Sequence, residues 1–420
     1  MEKLVIEGGK LLHGEVKISG SKNAALPILA ATLLTDETCV IRNIPRLRDT
    51  MTMVKLLRSL GKTAELTGDC ITISQKGHLN HVAEYKLVST MRGSFCVLGP
   101  LLAKLNKAKV SLPGGCVIGV RPVDLHLKGI KALGAKIEIE GGYVIATTRK
   151  LKGAHMYLGG AFGSSVLATA NVMMAAVLAD GETIIESAAC EPEIEDLTNF
   201  LMAMGAKIEG KGSPRLVING VRKLKGVQYK IIHDRIEAGT YILAAAATRS
   251  SIIIKNGCFE QLMALTDVLN QAGVKVIEEN GYVKVKPGRR FSPVNVSTYP
   301  YPGFPTDLQA QYMALMALTP GVSVITDKVY PDRFIHTAEL NRMGANIRRE
   351  GINAIVQGVK KLYGAPVMAS DLRASAALVI AGLAAKGRTE VHRMYHLERG
   401  YEDLDQKLLG LGAKVWREKE

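Results

Sequence analysis

The fold is decided by a five-residue stretch, Leu133-Gly134-Ala135-Lys136-Ile137, in which the tail of a helix ends at a glycine and a strand follows. This motif occurs six times, and its glycines are 73, 71, 68, 71 and 68 residues apart. The other versions read Leu60-Gly61-Lys62, Met204-Gly205-Ala206-Lys207-Ile208, Ala272-Gly273-Val274-Lys275-Val276, Met343-Gly344-Ala345-Asn346-Ile347 and Leu411-Gly412-Ala413-Lys414-Val415. Such a period indicates one supersecondary unit built six times, with glycine as the helix C-cap.

A second recurring element precedes each glycine motif, where a short strand meets a loop that opens an Ala/Leu-rich helix. Equivalent loop positions recur 70, 71, 72, 72 and 66 residues apart. They are Lys22, Arg92, Gly163, Arg235, Asp307 and Arg373. The helices that follow, such as residues 24–34 and 375–385, carry no interior charge, which is typical of a helix buried on all sides. We expect the six positions to face a common place.

Strands are predicted on both sides of these buried helices. Those before the loops are residues 16–18, 86–88, 156–158, 229–232, 294–296 and 367–368. Those after the helices are residues 38–41, 109–112, 183–186, 251–254, 322–325 and 389–392. The alternation predicts an α/β fold in which helices form the innermost core. Six units suit three per lobe, with a first lobe at 21–229 and a second at 1–20 plus 230–420.

The composition favours a protein that binds small anions. Its net charge is +15, from 54 Lys and Arg against 39 Asp and Glu, which attracts anionic partners. Nucleic acid is not expected, because the basic residues are spread out and aromatics, at 5%, do not interleave with them. Six cysteines form no CxxC pair, which argues against a zinc site and suits a reducing cytoplasm. We expect no metal and no cofactor.

No membrane association is expected either. The N-terminal residues Met1-Glu2-Lys3-Leu4-Val5 lead into no apolar segment typical of a signal peptide. The longest apolar-rich stretch, Val166 to Ala179, is shorter than the roughly 20 residues that a membrane span needs.

The residues at the helix starts have two interpretations. Asp234, Asp307 and Asp371 are typical of N-caps or first-turn acids. Basic residues oppose the helix dipole there, and Lys22, Arg92, Arg235 and Arg373 are such residues. They are explained by an anion bound between them, or alternatively by pairing with the three aspartates.

The segment from Leu112 to Pro122 contains three glycines between two prolines, a pattern typical of a mobile lid. Cys116 lies in this loop outside any helix or strand pattern, so a packed core role is not favoured. Arg121 and the positive charge of the chain would lower the pKa of its thiol.

Several motifs resemble the UDP-N-acetylglucosamine 1-carboxyvinyltransferase family of enolpyruvyl transferases, nearly end to end. They are Ser19-Gly20-Ser21-Lys22-Asn23-Ala24, Pro113-Gly114-Gly115-Cys116, Gly119-Val120-Arg121-Pro122-Val123-Asp124-Leu125-His126, Phe304-Pro305-Thr306-Asp307-Leu308-Gln309-Ala310-Gln311, Asp371-Leu372-Arg373-Ala374-Ser375 and Arg399-Gly400-Tyr401-Glu402. The resemblance implies a two-lobe inside-out α/β barrel of six repeats. It also implies enolpyruvyl transfer from phosphoenolpyruvate to the 3′-hydroxyl of UDP-N-acetylglucosamine, the first committed step of peptidoglycan synthesis.

The resemblance also implies residue roles. Catalysis is assigned to Cys116 as acid, Asp307 as base, and Lys22 and Arg399. Phosphoenolpyruvate is assigned to Lys22, Asn23, Arg92, Arg121, Arg373 and Arg399. The UDP-sugar is assigned to Asn23, Arg92, Arg121, Pro122, Val123, Asp124, Leu125, Gly163, Asp307 and Val329.

Three departures from the family pattern keep other functions open. Arg48 replaces a usual Lys, Ala161-Phe162-Gly163-Ser164 replaces a usual Ser-Val-Gly-Ala, and residues 327–334 differ at most positions. The alternatives are a paralogue that uses another nucleotide sugar, a 5-enolpyruvylshikimate-3-phosphate synthase, and a non-catalytic binding protein for anions or nucleic acid. Asn23 and Cys116 argue against the synthase, which usually has Ser-Lys-Ser in the first loop and no lid cysteine.

Overall fold

Each of the six marker glycines ends a helix in the left-handed region of backbone conformation. In the computed structural model, which describes residues 2–113 and 123–420, their φ angles lie between 82° and 105°. Each glycine N–H donates to the carbonyl three residues earlier, at 2.9–3.1 Å, and a strand begins within two residues. A Cβ atom makes this conformation costly, so glycine is favoured at every copy. The predicted repeat is confirmed.

The chain folds into two compact units. The described residues between 20 and 232 form the central unit, and residues 2–19 and 233–420 form the terminal unit. In the central unit, with elements labelled in chain order along the whole protein, the helices are α1 Lys22–Ala31, α2 Arg48–Ser59, α3 Tyr85–Val88, α4 Leu98–Leu105, α5 Asp124–Ala132, α6 Val166–Ala176 and α7 Pro192–Ala203. Its strands are β3 Cys39–Arg42, β4 Lys62–Thr67, β5 Cys70–Gln75, β6 Val82–Ala83, β7 Lys107–Ser111, β8 Lys136–Glu140, β9 Tyr143–Thr147, β10 His155–Tyr157, β11 Glu182–Glu186, β12 Lys207–Glu209, β13 Arg215–Asn219 and β14 Gln228–Lys230.

The terminal unit is built from the same kinds of element, and its first two strands, β1 and β2, precede the central unit in the chain. Its helices are α8 Arg235–Ala247, α9 Met263–Gln271, α10 Gln309–Met316, α11 His336–Arg342, α12 Leu372–Ala384 and α13 Leu404–Gly410. Its strands are β1 Glu2–Glu7, β2 Glu15–Lys17, β15 Ile253–Lys255, β16 Val274–Glu279, β17 Tyr282–Pro287, β18 Val296–Thr298, β19 Val322–Asp327, β20 Asn346–Glu350, β21 Asn353–Gln357, β22 Pro366–Met368, β23 Arg388–His392 and β24 Lys414–Lys419. Short 3-10 helices precede several helices of both units, at Arg92–Val97, Phe259–Leu262, Thr306–Leu308 and Met394–Arg399.

The strands of the described residues pair into six four-stranded sheets with one common topology. In the sheet β10-β11-β13-β12, for example, the short edge strand β10 is parallel to β11, and the other two pairings are antiparallel. Three sheets belong to each unit. Segments distant in the sequence complete three of them: β14 pairs with β3, β2 pairs with β15, and β1 lies between β23 and β24.

Buried helices form the interior of each unit. In the terminal unit α8, α10 and α12 pack against one another, and every residue of α8 and α10 is buried. In the central unit α6 packs against α1 and α4. The predicted α/β fold class, with helices innermost and sheets outside, is confirmed. No helix in the part of the chain that the structure describes is long and apolar enough to cross a membrane.

Two strand predictions need correction. Residues 86–88 belong to the helical turn α3, and the strand of that repeat is Val82–Ala83 instead. The N–H groups of Leu87 and Val88 donate to the carbonyl of Glu84, so local backbone bonding outweighs the strand preference of a single valine. The strand predicted at 294–296 begins only at Val296 and runs to Thr298.

A buried polar contact fixes the start of α5, which carries part of the predicted nucleotide segment. Asn171 of α6 donates from Nδ2 to Nδ1 of His126, at 3.0 Å, and to the carbonyl of Phe95, at 3.1 Å. Its Oδ1 accepts from the N–H of Gly99 at 2.6 Å. Burial, together with the smaller effect of the positive charge of Arg92, lowers the pKa of His126 to about 3. The ring therefore stays neutral and accepts at Nδ1.

Replacing a marker glycine by alanine should destabilise the terminal unit through its backbone alone. At Gly344 φ is +91° and an added Cβ would meet only Tyr363, at an ordinary 3.4 Å. We expect Gly344→Ala to lower the free energy of unfolding by about 1–2 kcal/mol, measured by chemical denaturation. The matched control is Gly410→Ala, at the end of α13, where a Cβ would be in open space and φ is not positive. The control should gain roughly 0.4–1 kcal/mol; equal effects of both changes would contradict the backbone argument.

The buried His126 should make the central unit sensitive to acid. The unfolded chain binds a proton at this ring below the ordinary pKa of 6.5, whereas the folded ring resists protonation down to about 3. Stability is therefore lost as pH falls, by roughly 2 kcal/mol between about pH 6.5 and about pH 5. Denaturation of His126→Gln at both pH values should show a shallower loss than the native protein. His78→Gln, at an exposed position, is the control and should keep the native slope; an unchanged slope in His126→Gln would refute the assignment.

Candidate active site

Asp307 is held between two guanidinium groups in the terminal unit. It lies in the 3-10 turn before α10. Its Oδ1 is 2.7 Å from Nη1 of Arg333, and its Oδ2 is 3.2 Å from Nη2 of Arg373. The Asp307 side chain is 24% exposed, while those of Arg333 and Arg373 are 4% and 1% exposed. The result is a partly open carboxylate whose orientation is set by two buried cations.

Arg373 retains donors that protein acceptors do not use. It is the second residue of α12, whose N-cap Asp371 accepts from the N–H groups of Arg373 and Ala374. Among the described residues, no acceptor is in hydrogen-bonding geometry with its Nε and Nη1 atoms. The guanidinium lies 5.2 Å from the centre of the Tyr401 ring. Because buried donors are nearly always satisfied, this arrangement suits an anionic ligand at the start of the helix.

Arg333 is the site residue that the sequence argument did not single out. Its Nη1 also donates to the Thr306 hydroxyl at 3.2 Å, and its Nη2 lies 3.8 Å from Asp371. Burial alone would lower the pKa of Arg333, but the charges of Asp307 and Asp371 outweigh burial and raise it above the usual arginine range. Arg333 lies in a segment that departs from the family pattern at most positions, but Arg333 itself agrees with the pattern, and this agreement was the available signal.

Neutral side chains fix the backbone beneath Asp307. Gln311 of α10 donates from Nε2 to the carbonyl of Asp307 at 2.8 Å and to the Tyr401 hydroxyl at 3.1 Å. That hydroxyl is 2.9 Å from the hydroxyl of Thr240 in α8. Burial raises the pKa of Tyr401, so the phenol stays neutral. Helices α8 and α10 thus both help to position the carboxylate.

The helix-start predictions have different outcomes in different repeats. Asp234 and Asp371 are N-caps, as predicted, since each accepts two backbone N–H bonds in the first turn. Asp307 is a first-turn acid of its 3-10 helix, as predicted, and it also pairs with Arg373, in line with the alternative interpretation. Arg235 lies with its guanidinium 5.4 Å from the ring centre of Tyr301.

In the central unit, Lys22 pairs with a carboxylate that the sequence argument did not consider. Lys22 is the first residue of α1, after the N-cap Ser21. Its Nζ is 2.9 Å from Oδ2 of Asp49, and both side chains are at least nine-tenths buried. Asn23 follows Lys22 in the same helical turn. Arg92 begins a 3-10 helix, and its charge acts on His126.

Leu125 and the turn that contains Gly163, both predicted to bind the nucleotide sugar, lie next to each other in this unit. Val123 and Asp124 lead into α5, and Leu125 follows. Gly163 has a φ of +90° and exchanges backbone hydrogen bonds with Gly160, at 2.9 and 3.1 Å. A Cβ added at Gly160 would be 3.1 Å from Cδ1 of Leu125, so the turn lies against the start of α5.

The remaining predicted residues are placed as follows. In the terminal unit Arg399 ends a 3-10 helix and Val329 follows β19. Cys116, Arg121 and Pro122 lie outside the described residues. Within the described ranges, 2–113 and 123–420, no group of three His, Cys, Asp or Glu side chains could hold a metal ion.

Comparison with known proteins gives the family. A family model described as EPSP synthase (3-phosphoshikimate 1-carboxyvinyltransferase) matches residues 6–408. The UDP-N-acetylglucosamine 1-carboxyvinyltransferase of Trichlorobacter lovleyi is 54% identical over 422 residues, with both chains fully covered. The enzyme of that name from Akkermansia muciniphila is 51% identical over 420 residues, with 99% of each chain covered.

Solved structures agree on the architecture. The enolpyruvyl transferase NikO of Streptomyces tendae matches with a TM-score of 0.90 at 25% identity, over 99% of this chain and 98% of that one. An EPSP synthase of Acinetobacter baumannii matches with a TM-score of 0.76 at 18% identity over both complete chains, which supports the fold alone. The full-length identity above 50% is to the nucleotide-sugar enzymes. The chain therefore belongs to the enolpyruvyl transferase family, within the group of UDP-N-acetylglucosamine 1-carboxyvinyltransferases.

Proposed function

We propose that the protein transfers the enolpyruvyl group of phosphoenolpyruvate to the 3′-hydroxyl of UDP-N-acetylglucosamine and releases phosphate. The observation that carries the proposal is the Asp307 carboxylate, partly open and held between Arg333 and Arg373. A general base must be fixed within reach of the hydroxyl whose proton it takes. Relatives that share this chain's full length at 51–54% identity have names that specify the same substrate class.

The donor phosphoenolpyruvate carries a phosphate and a carboxylate, which need several cations. Arginine binds such groups through parallel hydrogen bonds. The unused donors of Arg373 suit one of these anionic groups. We assign the rest of the donor site to Lys22, Asn23, Arg92, Arg121 and Arg399.

The reaction would proceed by addition and elimination. Cys116 donates a proton to the methylene carbon of phosphoenolpyruvate, and the sugar oxygen attacks the neighbouring carbon while Asp307 takes the hydroxyl proton. In the second step the thiolate that remains on Cys116 takes a proton back from the methyl carbon, the carbon–carbon double bond forms again, and the carbon–oxygen bond to phosphate breaks, so that phosphate leaves. The protein supplies acid and base in turn, and its cations stabilise the departing phosphate.

The proposed binding site for the UDP-sugar consists largely of short backbone segments. We assign UDP-sugar binding to the start of α5, to the adjacent turn and to a few further residues. These residues are Asn23, Arg92, Arg121, Pro122, Val123, Asp124, Leu125, Gly163, Asp307 and Val329. We further propose that the reaction takes place in the cytoplasm and that its product feeds peptidoglycan synthesis.

The direct test is phosphate release from the purified protein. We expect release only when phosphoenolpyruvate and UDP-N-acetylglucosamine are both present, because neither substrate reacts alone. Control reactions replace the sugar nucleotide by shikimate 3-phosphate or by another UDP-sugar. Efficient turnover of a replacement would contradict the acceptor assignment, and no release under any condition would favour a binding protein.

Asp307→Asn should separate binding from catalysis. The amide keeps the shape of the carboxylate but does not accept the hydroxyl proton, so kcat should fall by roughly 10²–10⁴-fold. Calorimetric binding of UDP-N-acetylglucosamine should stay within about threefold of the native value, since the contact surface is retained. The control is Asp267→Asn, an exposed carboxylate in α9 that bonds to Gln271, and its kcat should be native. Native turnover in Asp307→Asn would exclude Asp307 as the base.

A further inference from the structure

Asp327 is a buried carboxylate at the end of β19 that lies outside the set of predicted site residues. Asp327 is 0% exposed to solvent. A charge that is fully withdrawn from water is costly unless hydrogen bonds compensate it. Four donors surround its two oxygens, and they come from three separate segments of the terminal unit.

One oxygen organises the segment that carries Val329. Oδ1 accepts from the backbone N–H of Val329 at 3.0 Å and of Tyr330 at 2.8 Å. It also accepts from the Thr298 hydroxyl at 2.7 Å, and that hydroxyl in turn accepts from the N–H of Lys328 at 3.1 Å. The backbone of three consecutive residues is therefore tied to this carboxylate, directly or through Thr298.

The other oxygen leads to the proposed base. Oδ2 accepts from the hydroxyl of Thr306 at 2.8 Å. Because that hydroxyl proton points to Asp327, the lone pairs of Thr306 are left for Nη1 of Arg333, at 3.2 Å. The same Nη1 atom donates to Oδ1 of Asp307 at 2.7 Å. A directed chain of hydrogen bonds thus runs from Asp307 through Arg333 and Thr306 to Asp327.

We propose that Asp327 is a positioning residue that sets the Asp307 carboxylate and the Val329 segment in place together. The inference rests on the proposed function, in which Asp307 takes the sugar proton and Val329 contacts the UDP-sugar. Asp327 itself is fully buried, and in this proposal it acts through Thr306 and Thr298 and not on the substrates directly. Its two oxygens divide the task, so the branch through Thr306 controls turnover and the branch through Thr298 controls nucleotide binding.

Two isosteric variants separate the branches. Thr306→Val removes the link to the base, and we expect kcat to fall at least about tenfold, because small displacements of catalytic groups are costly, while KM for UDP-N-acetylglucosamine stays within about threefold. Thr298→Val loosens the Val329 segment, so KM for the nucleotide should rise roughly fivefold or more with kcat nearly native. A merely structural role would lower the thermal midpoint of both variants without this split.

Asp327→Asn tests the shared hub. The amide keeps one acceptor oxygen for the three donors near Val329 and turns an N–H₂ group towards Thr306, so kcat should fall as in Thr306→Val. A double variant that combines Thr306→Val with Asp327→Asn should be no slower than either single variant, because both changes interrupt the same series of hydrogen bonds. The control is Asp332→Asn, whose exposed carboxylate pairs with Arg349 at 2.8 Å, and both constants should be native.

The outcomes distinguish this inference from the proposed function. The inference is overturned if native protein turns over both substrates and the two threonine variants keep both constants within about twofold, or if the losses in Thr306→Val and Asp327→Asn multiply in the double variant. Native protein that releases no phosphate refutes the proposed function, and the inference then falls with it.

Discussion

The structure depends on helices that are apolar all round and must therefore be buried on every side. Such a helix offers only its ends to polar chemistry, because its flanks are occupied by other helices and by sheets. In the terminal unit α8, α10 and α12 are packed together, and the residues at their starts carry the charges. Asp307 and Arg373 begin successive repeats and meet at 3.2 Å. The candidate active-site residues of the terminal unit thus lie where the repeated apolar core meets polar side chains.

The same constraint explains what the sequence predicts well. A glycine with positive φ is a local requirement, so six copies of one motif reveal six helix ends without knowledge of any contact. A helix free of interior charge likewise predicts its own burial. The N-caps Asp234 and Asp371 follow from local bonding in the first helical turn. These features depend only on residues that are close in the sequence, so the sequence alone predicts them.

The features that the sequence did not predict depend on long-range contacts. Arg333 reaches Asp307 across 26 residues, and Lys22 of α1 pairs with Asp49 of α2, although β3 lies between these helices in the sequence. The strand predicted at 86–88 is the exception, because local backbone bonding to the carbonyl of Glu84 makes that segment a helical turn. Packing decides which charged side chains pair with one another, and no periodic pattern in the sequence indicates those pairs.

The position of β1 has a consequence for the order of folding. This first strand, Glu2–Glu7, lies between β23 and β24, and Glu2 is paired with Lys419. During synthesis β1 leaves the ribosome long before β23 and β24 have been made. Both of its hydrogen-bonding edges therefore stay without strand partners until those two strands appear. The segment between residues 20 and 232 needs no later strand for its three sheets. The central unit can therefore complete its sheets first, whereas the sheet that contains β1 forms only after β23 and β24 have been synthesised.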